Sequence, residues 1–442
     1  MTSLFDSVPL SRGPALVNRF MLSPLTNHQS NADGTLSDGE HKWLEMRANG
    51  GFGLVMTCAS HVQKVGQGFP GQLGCFGDQH IAGLTRIADT IRASGKVSYV
   101  QLHHAGNRSP KDLIGEAPVC PSDDAETGAR ALTHAEVEQL IADFIAAAVR
   151  CDTAGFDGIE LHGAHGYIIC QFLSSDINKR TDEFGGSLEN RARVLMRIVD
   201  GVREQCRPDL QLAVRLSPER FGMLVDEIRE VFSWLVASGK VDLIDMSLWD
   251  VFKEAHEPEH AGKQLLELFT SIPRGKVKLA VAGKIATPQD AQKVIDLTEI
   301  ISNFAPNNQI KLYMVPFREI HVELLNNIPD KFHVHIINVI DKKYFSNKIA
   351  KKYNSIAHTT IIKHDKILND KILQETVIGT SAMILPGLGI LTESYNHLYL
   401  LNPTTQKLYE IENEIGGTIM NYVASKNGLY FYKDEKLHIY NP

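Results

Sequence analysis

At 442 residues the chain is too long for one ordinary domain and long enough for a barrel of about 250 residues with something added. Apolar residues make up 43% and charged residues 22%, an ordinary globular composition. A net charge of −7 leaves no basic field for nucleic acid, and no run approaches the roughly 18 to 20 apolar residues of a membrane span, so both roles are set aside.

The first twenty residues lack the continuous apolar core of a signal peptide. Cys58, Cys75, Cys120, Cys151, Cys170 and Cys206 are scattered, with no C-x-x-C pair. Neither a disulfide framework nor a zinc cluster is indicated, and a reducing cytoplasm is the expected setting.

Short apolar runs then read as strands at 20–23, 53–57, 97–102, 158–161, 210–216, 243–246 and 277–281. Helices lie between them. Thr133-x-x-Glu136 is a capping box that opens a helix through about Cys151. Val194, Ile198 and Val202 fall at helical spacing within 191–205. Thr287 before Pro288 caps a helix expected over 289–297. Repeated strand–helix units imply a parallel sheet, and seven of them favour an α/β (β/α)₈ barrel of the TIM type over an open sheet. No G-x-G-x-x-G follows the first strand, which counts against a Rossmann fold.

In such a barrel, chemistry sits on the loops after the strands. Polar residues cluster at those ends: Pro24-Leu25-Thr26, Cys58-Ala59-Ser60, Gln101 with His103 and His104, His162 with His165 and Tyr167, Arg215, and Gly283-Lys284. A flat, electron-poor ring across this rim needs an amide for its pyrimidine edge, a cation where negative charge develops, and backbone donors for a phosphate. Gln101, Arg215 and Gly283 supply those types. Each also has a plainer reading, as a loop tie, one half of a buried ion pair, and a turn glycine.

ELHGAHGYIICQF (160–172) leaves three readings for His162 and His165: a metal pair, two structural histidines, or a clamp that polarises a substrate oxygen while Tyr167 delivers a proton. H-x-x-H-x-x-x-x-C is not a standard zinc spacing, so no metal is expected.

AGFDGIELHGAHGYIICQFLSSDINKRTDEFGGSLENR (154–191) resembles the signature of the old yellow enzyme family, NADH:flavin oxidoreductases built on an FMN-bearing TIM barrel. NRFMLSPLTN, DGTLSDGEHKWL, QLHHAGNRS and VRLSPERFG match as well, and the resemblance covers residues 5–297. It implies that main chain at Pro24 and Ala59 contacts the flavin and that Thr26 tunes it. Gln101 would hold the pyrimidine edge, with Arg215 beside the reducing nitrogen. His162 and His165 would bind the substrate oxygen, and Tyr167 would donate the proton. It also implies ping-pong chemistry, in which NADH or NADPH reduces FMN and hydride then passes to an activated alkene. The other motif residues, Arg180, Asp182, Glu189, Asn190 and Arg191, read as buttresses of the loop.

The chain has a seam. Before residue 301 there are 18 arginines and 12 lysines; after it, one arginine and 14 lysines. The family's eighth strand ends in a Gly-Arg pair that completes the phosphate pocket, and no such dipeptide follows Asp296. The expectation is a barrel truncated after its seventh unit, with QIKLYMV (309–315) as a replacement strand or with open edges, and with weakened FMN binding. Residues 1–300 are then the FMN domain, 301–392 an α/β segment, and 393–442 a propeller-like β-meander built on HLYLLNPTTQKLYEI and GLYFYKDEKLHIYNP. The competing function is a non-catalytic fusion, or chimera, whose tail binds a partner or glycan; a zinc lyase ranks below both. The sequence leaves self-association into a homo-oligomer open.

Overall fold

The structure, a computed structural model, describes residues 3–302 and, as backbone, seven strand segments between 381 and 440. The chain divides into two units, Met1–Met314 and Val315–Pro442.

In the first unit eight parallel strands close into a barrel: β1 (Phe20–Leu22), β2 (Leu54–His61), β3 (Val97–His103), β4 (Gly158–Gly163), β5 (Gln211–Leu216), β6 (Leu243–Ser247), β7 (Lys278–Ala282) and β8 (Ile300–Ser302). Both faces of these strands are buried, which is why they read as nearly unbroken apolar runs. Met21, Leu54, Met56, Val97, Tyr99, Leu243 and Ile300 fill the interior. Val8 and Leu16, bridged to each other, join that cluster at the strands' N-terminal end. A larger apolar shell lies between the strands and the surrounding helices.

Those helices are α1 (Asp38–Asn49), α2 (Ile81–Ala93), α3 (His134–Thr153), α4 (Leu188–Gln205), α5 (Val225–Ala237), α6 (Leu265–Thr270) and α7 (Pro288–Ile295). The capping box of α3 forms in both directions, with Glu136 N–H donating to Thr133 Oγ1 at 3.3 Å and Thr133 N–H to Glu136 Oε2 at 2.8 Å. Thr287 caps α7 by accepting from the Asp290 amide at 3.0 Å.

The expected truncation does not occur. Ile300 pairs with Ala280 and Ile301 with Val281 on β7, while Phe20 pairs with Ile301 and Met21 with Ser302 on β1. The eighth strand thus lies inside the compositional seam, in residues that read as a linker. Three residues suffice because β1, its neighbour, is equally short. Residues 309–315 lie outside the described residues.

In the second unit, Ser381–Leu385, Gly389–Ser394, His397–Asn402 and Lys407–Glu410 form an antiparallel meander. Tyr422–Ser425, Gly428–Lys433 and Lys436–Tyr440 form another. The two strand–turn–strand repeats read from sequence are the His397–Glu410 and Gly428–Tyr440 pairings. The expected strands at 332–340 and 357–362 fall outside the described residues. Among the described residues, no helix is long and apolar enough to cross a membrane.

Candidate active site

Every residue singled out from sequence lies at or just past the C-terminal end of a barrel strand. Pro24, Leu25 and Thr26 follow β1, and Ala59 lies near the end of β2 after a register shift between Met56 and Ala59. Gln101 is on β3, His162 on β4 with His165 and Tyr167 beyond it, Arg215 on β5, and Gly283 and Lys284 just after β7. Pro24, Leu25 and Ala59 are half-buried, Thr26 and Lys284 exposed, and Gln101, His162 and Arg215 buried.

Strain marks the same rim. Among the described residues, the non-glycine residues with positive φ are His28, His165, Arg220, Phe221, Trp249 and Lys284. All six sit in loops that follow strands β1, β4, β5, β6 and β7. Left-handed backbone at such residues costs free energy and concentrates where a loop must hold one shape for function.

His162 and His165 are bonded to each other, Nε2 to Nδ1, at 2.9 Å. His165 continues the chain from Nε2 to Ser247 Oγ at 2.7 Å, and its backbone N–H donates to Ser217 Oγ at 3.0 Å. His162 Nδ1 is buried without a partner. Burial holds both imidazoles neutral, with His165 lowered to about 3 and His162 well below the usual range, and the nearby rings and Arg215 act in the same direction. Each ring therefore offers one N–H and one lone pair.

Tyr167 closes the group. Its ring centroid is 4.4 Å from that of His103, edge to face, and 4.9 Å from that of His162. The Arg108 guanidinium carbon lies 4.8 Å from the Tyr167 ring centroid.

A polar layer lies one step deeper in the barrel. Gln101 Nε2 donates to Glu160 Oε1 at 2.7 Å, and Arg215 Nε faces Asp245 Oδ2 at 3.2 Å, a charge contact without hydrogen-bond alignment. Asp245 also accepts from Ser302 Oγ at 3.1 Å, and the Ser302 hydroxyl touches that of Ser23. Two buried carboxyls share one guanidinium, so burial, then Asp245, pushes Glu160 up to about 8 despite Arg215 and Gln101; Asp245 is raised too. Glu160 Oε2 and Arg215 Nε have no hydrogen-bond partner. The plain readings of Gln101 and Arg215 are thus partly realised, yet both groups keep polar capacity unused.

Gly283 is shaped by its neighbours. At φ 152° a Cβ there would stand 2.8 Å from the Asp250 nitrogen and the Trp249 carbonyl carbon. Lys284 Nζ lies 3.6 Å from Asp250 Oδ2.

Sequence reasoning missed Glu160, Asp245, Ser247, Ser302 and Ser23. Glu160 carried a signal, since it shares the inward face of β4 with His162 two residues on. The others are single polar residues on apolar strands, brought together only by barrel closure. The motif's remaining residues do buttress its loop: Arg180 pairs with Asp182 and donates to Pro121 O at 3.1 Å, Asn190 donates to Gly185 O at 3.1 Å, and Arg191 pairs with Glu227.

The profile of the NADH:flavin oxidoreductase / NADH oxidase family matches residues 3–301. The chain is 36% identical over 303 residues to the probable NADH-dependent flavin oxidoreductase YqiG of Bacillus subtilis, covering 66% of this chain and 81% of that one. It is 38% identical over 248 residues to an NADPH dehydrogenase of Halalkalibacterium halodurans, covering 55% and 72%. Among solved structures, the old yellow enzyme homologue from Zymomonas mobilis superposes with a TM-score of 0.61 at 26% identity, covering 69% of this chain and 88% of that one. A 2-naphthoyl-CoA reductase superposes at 0.62 and 27%, covering 68% of this chain and 49% of the other. With its closed barrel, the chain belongs to the NADH:flavin oxidoreductase / NADH oxidase family, flavoenzymes that take FMN and NAD(P)H.

Proposed function

We propose that this oxidoreductase reduces the C=C bond of an activated alkene, an α,β-unsaturated carbonyl or nitro compound, with electrons from NAD(P)H. The observation that carries the reading is the contact group of His162, His165 and Tyr167 above a layer holding Gln101 and Arg215. FMN suits that layer: its ring needs hydrogen-bonding groups and a cation along one edge, and Gln101 and Arg215 have such capacity to spare. When bound, FMN supplies the hydride relay between NAD(P)H and carbon.

The chain's own groups do the rest. Main chain at Pro24, Leu25 and Ala59, with Thr26, lines one side of the ring, while Gln101 fixes its pyrimidine edge. Arg215 sets a permanent positive charge where negative charge grows. A substrate oxygen takes the place of the bond between the two histidines and accepts an N–H from each, which draws electron density from the alkene. Neutral imidazoles suit this, because they donate without giving up their protons. Tyr167 then passes its phenolic proton to the α-carbon.

Gly283 and Lys284 serve the phosphate end. Without a Gly-Arg dipeptide after Asp296, FMN is held less tightly than in relatives, by about 1.5–3 kcal/mol for one lost charged hydrogen bond. On this reading residues 1–300 are the FMN unit, and 301–392 and 393–442 are appended segments of other origin.

A flavin titration tests the proposal. The expected result is a yellow protein absorbing near ~450 nm, as an oxidised flavin does, that NAD(P)H bleaches and an enone restores. A chain that stays colourless in excess FMN points to the alternative, a non-catalytic fusion whose tail binds a partner or glycan.

A further inference from the structure

The lips of the site carry two guanidinium groups that the chemistry above does not use. Arg108 stands on the turn after β3. It is exposed, lies 4.8 Å over the Tyr167 ring centroid and donates from Nη1 to the His165 carbonyl oxygen at 2.5 Å. Arg220 stands on the loop after β5, exposed, 5.0 Å from the Trp249 ring centroid. Among the described residues, neither has a carboxylate within ion-pair distance. Local carboxylates are engaged elsewhere: Glu219 pairs with Lys253 and accepts from the His256 amide at 2.9 Å, and Asp250 accepts from the Phe252 amide at 3.0 Å.

The second lip is built into the site's own loops. Trp249 is 63% exposed, an unusual amount for a tryptophan, and is held there by left-handed backbone at φ 64°. Arg220 and Phe221 are left-handed as well, at φ 67° and 54°. Trp249 follows by two residues Ser247, which bonds to His165. Phe221 packs on Gly166, where a Cβ would meet its ring at 2.8 Å. Gly166 lies between His165 and Tyr167, the two residues Arg108 touches. Both lips therefore converge on one three-residue loop.

A guanidinium lying flat on an aromatic ring spends its face on that ring, and its in-plane N–H groups stay free for a planar anion. A carboxylate meets that fork with paired hydrogen bonds. Backbone strain that keeps a tryptophan and an arginine stacked and exposed is hard to explain as packing, since neither gains burial by it.

We propose that Arg108 and Arg220 form an anion-recognising lip, so that the alkene this site takes bears a carboxylate. The inference rests on the reading of His162, His165 and Tyr167 as the alkene site, and it adds the substrate class.

The test starts with a pair of probes that are not reduced, benzoate and benzamide, titrated calorimetrically into the purified full-length chain. Benzoate is expected to bind at least about 10-fold more tightly at low salt, with the difference shrinking as ionic strength rises. Arg108→Gln and Arg220→Gln are each expected to weaken benzoate about 10-fold and to leave benzamide where it was. The second arm compares cyclohex-2-enone with a cyclohex-2-enone carboxylate as oxidants; kcat/KM for the carboxylate should fall relative to the neutral enone in both variants. Equal binding of the two probes, needing no variant to measure, overturns the lip. So does a result in which the variants slow reduction by NAD(P)H and leave benzoate unchanged, which assigns the arginines to the dinucleotide phosphates. Because the titration consumes no alkene, benzoate preference without enone reduction would sink the alkene reading alone. Enone reduction without that preference would sink the lip alone.

Discussion

Ser302 donates its hydroxyl hydrogen to Asp245 Oδ2 across 3.1 Å, so the last strand of the barrel props the carboxylate that faces Arg215. The residue at the compositional seam is therefore part of the layer beneath the candidate site. Barrel closure and the placement of the site's permanent cation are one structural event.

Removing that prop should be measurable. Ser302→Ala leaves a buried carboxylate one donor short, at a cost of about 1.5–3 kcal/mol. A urea unfolding midpoint lowered accordingly is expected, and an unchanged midpoint would contradict the arrangement.

Tyr167 lies against His103 and His162, clear of the Gln101 and Arg215 layer. Tyr167→Phe keeps the ring and removes the proton. Stopped-flow traces should show reoxidation by an alkene slowed by about 10²-fold or more, with reduction by NAD(P)H nearly unchanged. Equal loss in both half-reactions would remove the phenol from its assigned role.

Glu160 gives stability a distinctive pH dependence. Its folded carboxyl titrates near 8, above its ordinary value of 4.5, so the native state binds the extra proton between those limits. Stability is then full at low pH and declines as pH rises through that window, by at most about 1.4 kcal/mol per unit. The buried histidines run the other way, because their lowered values cost stability only as pH falls below 6.5. Melting curves from pH 6.5 to 9 isolate the carboxyl. Wild type should lose stability across that range and Glu160→Gln should flatten the slope.

Gly283 sits where no other residue fits. Gly283→Ala combines φ 152° with a 2.8 Å approach to the Trp249–Asp250 backbone, so that loop must move. A loss of about 1–3 kcal/mol is expected, read as a lower melting temperature. Weaker FMN binding should accompany it if the loop borders the phosphate.

Much of this was legible in one dimension. Parallel strands buried on both faces must be apolar runs, and the caps at Thr133 and Thr287 are local hydrogen bonds, so the cadence of strand and helix was written in neighbouring residues. The long motif around His162 carried the family, and the rim rule turned strand ends into one set of candidate residues. Tertiary structure alone decided the rest. Ile300–Ser302 is a strand only because β1 and β7 lie on either side of it; in sequence it is three residues in a seam. Glu160, Asp245, Ser23 and Ser302 become a buried charged layer only when four strands meet, and the pairing of His165 with Ser247 needs residues 82 apart. Periodicity reports what a residue's neighbours along the chain require. A charge buried beside another charge is fixed by closure of the barrel, an interaction that no local pattern encodes.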